Sequence, residues 1–343
     1  MQAAAAPGPA STDHFTRPIF VSAEATRQVL AWKDIIDRLR AAYSAPHGPL
    51  TSPPRVVARD AGTWLRALAA VPPGSRFMGS KIFGFGRRRS VSYLIALFEQ
   101  ETGALAALVD ANLVTAYRTA ATSAVAVDCM APAGPAILGI LGSGLEAQMH
   151  ARAIAAVRPV RELRVYSPTE KNRDAFAARF TGELGAPCTP VGRPEQAVAG
   201  AGIVVAAARS HDESPILLGR WLREGQMVVS IGSTLPDQHE IDEQVVDACD
   251  LIVCDMPDEV VEQTGDMIAA RAAGVIFDHK LLSLNALMSD AAARARVAAA
   301  RLPMYKSVGA AIQDVVVAEF AFERAVAAGL AQPSSLDFLM KQT

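Results

Sequence analysis

A buried apolar run followed directly by a glycine turn is the feature that most constrains this chain. The run is Ala136–Leu141, and its unbroken apolar character is typical of a strand covered on both faces. A segment of helical periodicity, Leu145–Val157, follows. The turn residues are Gly142, Ser143, Gly144, Leu145, Glu146 and Ala147. A strand, a GxGxxA turn and a helix in this order predict a pyrophosphate site, because glycine lets the backbone approach the ligand and the helix start presents unbonded N–H groups.

Strand and helix patterns alternate downstream of this turn. The further predicted strands are Leu163–Tyr166, Ile203–Ala208, Met227–Ile231 and Leu251–Cys254. The predicted helices between them include Lys171–Leu184, Pro194–Ala199 and Glu243–Ala248. Repeated βα units predict an α/β fold with a doubly wound parallel sheet of the Rossmann type. We assign residues 133–305 to this dinucleotide-binding domain.

The residues before and after this domain do not show the alternation of strands and helices. The helical patterns there are Thr26–Tyr43, Ala116–Met130 and Ala310–Ala328, and the predicted strands of an antiparallel meander are Lys81–Phe85, Ser92–Phe98 and Ala104–Val109. We expect residues 15–132 and 306–343 to form a mixed α+β domain for substrate binding and dimerisation. Residues 1–14, rich in Ala and Pro, are expected to be a disordered tail.

Composition excludes several classes of protein. Apolar residues make up 51% of the 343 residues, which is enough for a sizeable core. The net charge of −2 and the absence of a long apolar run argue against nucleic-acid and membrane partners. The four cysteines show no pairing pattern and no histidine lies at metal-ligand spacing, so we expect reduced thiols, no metal site and a cytoplasmic location.

The end of the second parallel strand bears on the choice of cofactor. NAD-binding units usually place Asp or Glu about twenty residues beyond the fingerprint, and that position here is Ser167. Ser167, Thr169, Lys171 and Arg173 suit a 2′-phosphate instead. The sequence therefore favours NADP(H), with NAD(H) as the alternative because Glu170 is close by.

Several segments together resemble the ornithine cyclodeaminase/μ-crystallin family. In the family's order, they are Glu101–Asp110, Tyr117–Ala121, Gly142–Ala147, Gly232–Asp237, Thr264–Asp266 and Tyr305–Gly309. The resemblance, over roughly residues 50–325, implies a homodimer acting on a small imino or amino acid. It also implies that the substrate carboxylate is bound by Arg55, Lys81 and Arg118. The cofactor would be bordered by Ser233, Lys306 and Ser307.

Two departures from the family pattern refine this expectation. Thr234 stands where cyclodeaminases carry the Asp that engages the substrate amine, although Asp237 follows. Because Thr cannot act as a carboxylate base, we expect Thr234 to contact the substrate without supporting ornithine cyclisation. The loop Gly86–Ser90 carries three arginines, which either attract an acidic substrate or form a solvated surface.

These observations predict an NAD(P)H-dependent reductase of imino acids that transfers hydride to a C=N bond next to a carboxylate. Arg55, Lys81 and Arg118 would hold the carboxylate, and Lys81 would also polarise the substrate or relay a proton. Two alternatives stay open at this point. One is an ornithine cyclodeaminase-like ammonia lyase that recycles bound NAD, and the other is a non-catalytic cofactor-binding protein.

Overall fold

Strands and helices of the first part of the chain build an antiparallel sheet. The computed structural model describes residues 14–88 and 90–340, so the predicted tail lies outside the described residues except for His14. The elements are β1 (His14–Thr16), β2 (Ile19–Val21), α1 (Ala23–Val29), α2 (Trp32–Ser44), β3 (Val56–Asp60), β4 (Thr63–Ala70), β5 (Phe77–Phe85), β6 (Val91–Glu99), β7 (Leu105–Asp110) and α3 (Ala111–Met130). Strands β5 to β7 form the predicted meander, β3 and β4, which were not predicted, extend it, and β2 adds to β7 in parallel.

The single helix predicted over Thr26–Tyr43 is wrong, because two helices occupy this stretch. Leu30 has an extended backbone and ends α1, while its N–H still bonds to the carbonyl of Thr26. No Gly or Pro marks this break in the sequence. The change of direction buries Leu30 and lets α2 pack on α3 as a separate helix.

The middle of the chain forms an eight-stranded sheet. Its elements are β8 (Ala136–Leu141), α4 (Leu145–Ala155), β9 (Val160–Tyr166), α5 (Glu170–Leu184), β10 (Cys188–Val191), α6 (Pro194–Val198), β11 (Ile203–Ala206), β12 (Met227–Ser230), α7 (Glu243–Ala248), β13 (Leu251–Cys254), α8 (Pro257–Gln263), α9 (Gly265–Ala272), β14 (Leu281–Ser283), α10 (Leu284–Ser289), α11 (Ala291–Ala299) and β15 (Pro303–Lys306). The strand order is β10-β9-β8-β11-β12-β15-β13-β14, and every pair is parallel. The predicted α/β class with a doubly wound sheet is confirmed.

This strand order places a crevice beside the glycine turn. From β8 the chain winds to β9 on one side and later to β11 on the other. Open α/β sheets bind ligands outside the carboxyl ends of the strands at such a reversal. The late strand β15 lies between β12 and β13, so the segment after it emerges near the centre of the same edge.

The last helix joins the two sheets. The chain ends with α12 (Ala311–Ala327), β16 (Gln332–Pro333) and β17 (Phe338–Met340). Every residue of α12 from Ala311 to Ala321 is buried, because the helix packs on β4, β5 and β6 with one side and on α3 with the other. Within the described ranges, no helix is long and apolar enough to cross a membrane.

Candidate active site

The glycine turn has the geometry that a pyrophosphate requires. Gly142 has φ +126°, and a Cβ there would lie 2.7 Å from the carbonyl oxygen of Ala207, so this position demands glycine. Gly144 is the N-cap of α4, and no side chain of the described residues caps the first N–H groups. No described atom lies within 4 Å of a Cβ built on Gly144. Unbonded helix N–H groups that face open space suit an anionic ligand, so this turn fits a dinucleotide.

A groove of about 330 Å³ continues from this turn toward α5. Ser167 at the end of β9 is buried and accepts a hydrogen bond from the hydroxyl of Ser143 at 3.0 Å. Thr169 and Lys171 are exposed beside it. Arg173 donates to the carbonyl of Ser167 at 3.2 Å. Hydroxyls and cations therefore follow the end of β9, and the nearest acidic residue in sequence, Glu170, has 78% of its side chain exposed and lies 3.7 Å from the Arg173 guanidinium.

A second cavity of about 410 Å³ lies between the antiparallel sheet and the carboxyl ends of the parallel strands. Its polar lining includes Arg55, Arg66, Lys81, Arg118, Glu146, Thr234 and Ser307. The three cations predicted from the sequence are thus brought together, although they come from a loop, a strand and a helix far apart in the chain. The cavity also contains Arg66 and Glu146, which the sequence did not predict as substrate-site residues.

One buried carboxylate on α12 holds two of the cations. The Asp314 oxygens lie 2.8 and 2.9 Å from the ammonium of Lys81, and one of them lies 3.0 Å from Nε of Arg118. Nη1 of Arg118 also donates to the side-chain oxygen of Gln313 at 2.9 Å. Because the single negative charge of Asp314 faces the two positive charges of Lys81 and Arg118, these cations keep a net positive charge toward the cavity. Burial lowers the pKa of Lys81 to about 8, with Asp314 opposing the shift.

Gly309 lets Arg118 reach this position. Gly309 has φ +88°, and a Cβ there would lie 2.7 Å from Nη1 of Arg118. A side chain would therefore strain the backbone and collide with the guanidinium. This requirement explains the glycine of the sequence segment Tyr305–Gly309.

Arg55 ties the same segment to α8. Its Nε lies 2.6 Å from a carboxylate oxygen of Glu259, and its Nη2 donates to the carbonyls of Val308 and Gly309 at 2.9 and 2.8 Å. The backbone N–H of Arg55 donates to the other Glu259 oxygen at 2.6 Å. Much of the hydrogen-bonding capacity of Arg55 is thus used within the protein, while its side chain still lines the cavity.

Ser307 lines the cavity but is oriented by Asp255. Its hydroxyl donates to one Asp255 oxygen at 2.6 Å, and the N–H groups of Val308 and Gly309 donate to the same carboxylate at 3.1 and 2.8 Å. Gln313 donates to Asp255 as well, at 3.1 Å. Asp255 therefore fixes the backbone that follows β15.

The motifs around Lys306 and Thr264–Asp266 form a buried network beneath the cavity. The ammonium of Lys306 lies 2.6 Å from Asp266 and 2.9 Å from the hydroxyl of Ser230, and the Lys306 side chain is fully buried. Glu240 accepts hydrogen bonds from Ser230 and from the backbone of Ile231 at 2.7 and 2.9 Å. Burial raises the pKa of Glu240 to about 7. Lys306, predicted to border the cofactor, directs its side chain into this network.

The segment after β12 places Ser233 and Thr234 differently. Ser233 is buried, and its hydroxyl donates to the carbonyl of Gln238 at 2.6 Å. Thr234 lines the cavity, while its N–H and hydroxyl donate to the side-chain oxygen of Gln238 at 3.0 and 3.2 Å. Asp237 is exposed and does not line the cavity. The cavity therefore has a hydroxyl at the position where cyclodeaminases carry Asp.

Glu146 belongs to the glycine turn in sequence, but its side chain lines the substrate cavity. Its Oε2 atom is buried and has no hydrogen-bond partner within the described part of the chain. Burial raises its pKa to about 7, although Arg118 and Lys81 act in the opposite direction. The sequence signal was the presence of an acid in a turn meant for phosphate, where a negative side chain facing the ligand would be unfavourable.

Arg66 was missed altogether, and the basic loop predicted to meet an acidic substrate lies elsewhere. Arg66 is 4% exposed on the inner face of β4 and lines the cavity. Arg87 and Arg88 are exposed at the turn between β5 and β6 and do not line the cavity. Arg89 lies outside the described residues.

Comparison with known proteins agrees with this geometry. The model of the ornithine cyclodeaminase/mu-crystallin family matches residues 17–329. This chain belongs to that family. The resemblance noted in the sequence is therefore confirmed over most of the chain.

Relatives within the family extend over nearly the whole chain. The ketimine reductase mu-crystallin of Mus musculus is 27% identical over 321 residues, which cover 89% of this chain and 97% of the relative. The crystal structure of a probable ornithine cyclodeaminase from Bordetella pertussis Tohama I has a TM-score of 0.80 at 27% identity and covers 92% of this chain and 99% of that one. A Δ1-pyrroline-2-carboxylate reductase from Thermococcus litoralis, in complex with NADH and L-proline, has a TM-score of 0.81 at 25% identity with the same coverage.

Proposed function

We propose that this protein is an NAD(P)H-dependent reductase of imino acids that delivers hydride to a C=N carbon next to a carboxylate. It is an oxidoreductase acting on C=N bonds, and it runs in reverse as an amino-acid dehydrogenase. The observation that carries this proposal is the net positive pair of Lys81 and Arg118 in a cavity that adjoins the glycine turn. The names of two relatives support it, because both a ketimine and Δ1-pyrroline-2-carboxylate are cyclic or acyclic imines.

The chain's own residues bind and orient the substrate. The bound dinucleotide supplies the hydride, while the protein supplies position and field. Arg118 and Lys81 bind the substrate carboxylate, and Arg55 holds the segment Ser307–Gly309 that closes one side of the cavity. Alignment of this kind contributes up to ~7–11 kcal/mol to catalysis.

Reduction also places a proton on the substrate nitrogen. Glu146 is positioned for this step, because it lines the cavity with an unbonded carboxyl oxygen. The groups that face it are Arg118 on α3, Lys81 on β5, Tyr93 on β6 and His150 on its own helix. Protonated Glu146 gives a proton to the imine nitrogen during reduction, and ionised Glu146 accepts one from the amine in reverse.

Lys81, the proton relay predicted from the sequence, remains a second candidate for this step. Its ion pair with Asp314 favours a role in charge pairing. Thr234 contributes a hydroxyl to the wall and does not replace the carboxylate that ornithine cyclisation requires. Reduction is therefore favoured over the ammonia-lyase reaction.

We assign NADP(H) as the preferred cofactor, with NAD(H) as the alternative. Ser167, Thr169, Lys171 and Arg173 directly follow β9, and the end of this second strand is where the adenosine ribose would lie. Hydroxyls and cations favour a 2′-phosphate over the two hydroxyls of NAD. The four cysteines are free thiols, which suits a cytoplasmic enzyme.

A second copy of this chain is the proposed partner. Val56, Ala67, Ile82 and Leu94 lie side by side across β3 to β6 on the outer face of the antiparallel sheet. Three of them are large apolar side chains with exposed fractions of 71%, 40% and 38%. An apolar row of this kind on a sheet is typical of a symmetric dimer interface. Light scattering on the wild-type protein and on Ile82→Asp tests this proposed dimer. A wild-type protein that is monomeric at micromolar concentration would contradict the proposal.

The reductase reaction is tested by NADPH oxidation with a panel of keto acids plus ammonia or methylamine, and with preformed cyclic imines. We expect cofactor consumption that requires both the keto acid and the amine. Ammonia release from ornithine with only catalytic amounts of cofactor would establish the lyase reaction instead. Tight cofactor binding with no turnover on any imine would indicate a binding protein.

A further inference from the structure

Arg66 occupies a place in the cavity that the carboxylate-binding pair does not serve. It lies on the inner face of β4, where its cross-strand neighbours are Phe83 on β5 and then Tyr93 on β6. The next row toward the other end of the strands contains Leu68 and Lys81. Arg66 and Lys81 are therefore diagonal neighbours on one face of the sheet, a spacing of about 7–8 Å between their backbones.

The other cations of the cavity have anionic partners, whereas Arg66 has none. Arg55 pairs with Glu259, and both Lys81 and Arg118 pair with Asp314. Arg209, which also lines the cavity, pairs with Glu213. Among the residues that the structure describes, no carboxylate lies within 4.0 Å of the Arg66 guanidinium, and its Nε has no acceptor. Burial of an unpaired charge is unfavourable, and an anion supplied by a ligand would offset that cost.

Two aromatic rings lie beside the Arg66 guanidinium. Its guanidinium lies 4.6 Å from the ring centre of Trp64 and 5.8 Å from that of Phe83. Aromatic rings attract a cation without accepting its N–H hydrogen bonds, so they leave the donors of Arg66 without acceptors. Burial and the neighbouring Arg55 and Arg59 lower the pKa of Arg66 to about 10, so it keeps its charge at neutral pH.

We propose that Arg66 binds a second anionic group of the substrate, so that the preferred substrates are dicarboxylic imino acids. This inference rests on the proposed function. The carboxylate next to the C=N bond binds Arg118 and Lys81, and the carboxylate of the substrate side chain binds Arg66. Leu68, Phe83 and Tyr93 line the cavity near the aliphatic carbons between the two acid groups.

Substrate competition in the wild-type enzyme and in Arg66→Met tests this assignment. The substrates are imines of oxaloacetate or 2-oxoglutarate on one side and of pyruvate or 2-oxobutyrate on the other, all formed with ammonia. We expect wild-type kcat/KM to favour the dicarboxylates by at least ~10-fold, and Arg66→Met to reduce that ratio by ~10- to 100-fold, as expected for a hydrogen bond between charged groups. Arg66→Lys should keep part of the preference.

The ratio of kcat/KM for the dicarboxylates to kcat/KM for the monocarboxylates distinguishes a role of Arg66 in specificity from a structural role. If Arg66 only supports Trp64 and Phe83, its loss lowers kcat/KM for both substrate classes in parallel, and the inference is wrong. Arg324→Met is the control, because Arg324 is an exposed arginine near the end of α12 and does not line the cavity. Its ratio should equal that of the wild type. A wild-type preference for the monocarboxylates would also overturn the inference.

A binding measurement keeps this test independent of turnover. Glutarate and butyrate are titrated into the enzyme–NADPH complex, and the fluorescence of the bound cofactor is followed. We expect glutarate to bind more tightly in the wild type and to lose that advantage in Arg66→Met. If no imine is reduced but this difference holds, the proposed reaction is wrong and the acid-binding role of Arg66 stands. If both acids bind equally, the role of Arg66 is wrong whatever the enzyme reduces.

Discussion

The two sheets of this molecule differ in how directly their sequences reveal them. In the parallel sheet the strands β8, β11 and β13 are apolar throughout, and most strands are followed by a helix, so pattern and structure coincide there. Strands β8 and β13 and helix α7 begin and end at the predicted residues. In the antiparallel sheet the strands β4 to β7 are buried mainly on one face, and part of that face is polar because it lines the cavity. The structural scaffold is therefore encoded locally, whereas the substrate site depends on contacts between distant segments.

This contrast implies that the two regions have separate functions, which variants of each region can test. Variants of the antiparallel sheet and its partner helices should change substrate use and leave cofactor binding intact. Variants of the glycine turn and of α5 should do the reverse.

The largest effect is expected for Arg118→Met. Removal of the guanidinium leaves the substrate carboxylate with Lys81 alone, and we expect kcat/KM for imino acids to fall by ~10²- to 10³-fold, as for loss of one partner of a buried charge pair. Steady-state kinetics and a fluorescence titration with NADPH measure the two functions separately. A cofactor Kd that rises as much as KM for the imine would show that the two regions are not separable.

Glu146→Gln should affect catalysis next most strongly, because Glu146 lies at the boundary between the two regions. We expect kcat of reduction to fall by ~10²-fold, a usual value for loss of a general acid. The pKa of about 7 is raised from its ordinary value, so the protonated acid is present below pH 7 and is lost above it. Wild-type reduction should therefore decline above about pH 7, oxidation of the amino acid should decline below it, and the variant should lack both limbs.

Glu101→Gln provides the control for that pH profile, since Glu101 is an exposed carboxylate in the turn between β6 and β7. Its pH–rate curves should overlay those of the wild type. Retention of the wild-type limbs in Glu146→Gln would exclude Glu146 as the proton donor and direct attention to Lys81.

Gly144→Ala should change only the cofactor side. Gly144 has φ −74° and open space around its missing Cβ, so alanine fits the protein, but its methyl group occupies the space beside the helix N–H groups. We expect Kd for NADPH to rise by ~10-fold, which is about 1.4 kcal/mol, with no change in Tm of the protein without cofactor. Gly142→Ala is the contrasting variant, because strain and the close Ala207 carbonyl should lower Tm itself. An unchanged Kd in Gly144→Ala would contradict the placement of the pyrophosphate.

The smallest effect is expected for Lys171→Ala. Because Lys171 is exposed, its contribution to binding a 2′-phosphate should be modest, and we expect KM for NADPH to rise roughly two- to fivefold. KM for NADH should stay the same, since NADH has no phosphate at this position. Equal changes for both cofactors would point to a general electrostatic effect and weaken the assignment of NADP(H).

Most of the fold could be predicted from the sequence, and the misses have physical causes. The edge strands β10 and β14 are short and only partly buried, so neither has the fully apolar run that reveals β13. Strand β4 was not predicted, because Arg66 stands at a position where its alternating pattern requires an apolar side chain. Arg66, which interrupts the sequence pattern of β4, is thus also a residue that lines the cavity.

The candidate site could be predicted only in part, for a related reason. Cations were identified from the sequence, but their partners lie far along the chain. Asp314 is 233 residues from Lys81 and 196 from Arg118, and no local pattern connects them. Glu146 was assigned to the glycine turn because sequence position gives the backbone path and says little about where a side chain points.

The position of β15 has a consequence for how the protein is made. Translation completes β12 and β13 long before Pro303–Lys306 leaves the ribosome, yet the finished sheet requires that last strand between them. Until then both strands present bare edges in the middle of the molecule, and such edges invite pairing with other chains. Strands β8 to β12, which include the strand before the phosphate turn, can pair early. Strands β13 and β14 join them only after β15 has been made. Nascent chains that stop before Pro303 should therefore depend on chaperones far more than the finished protein does.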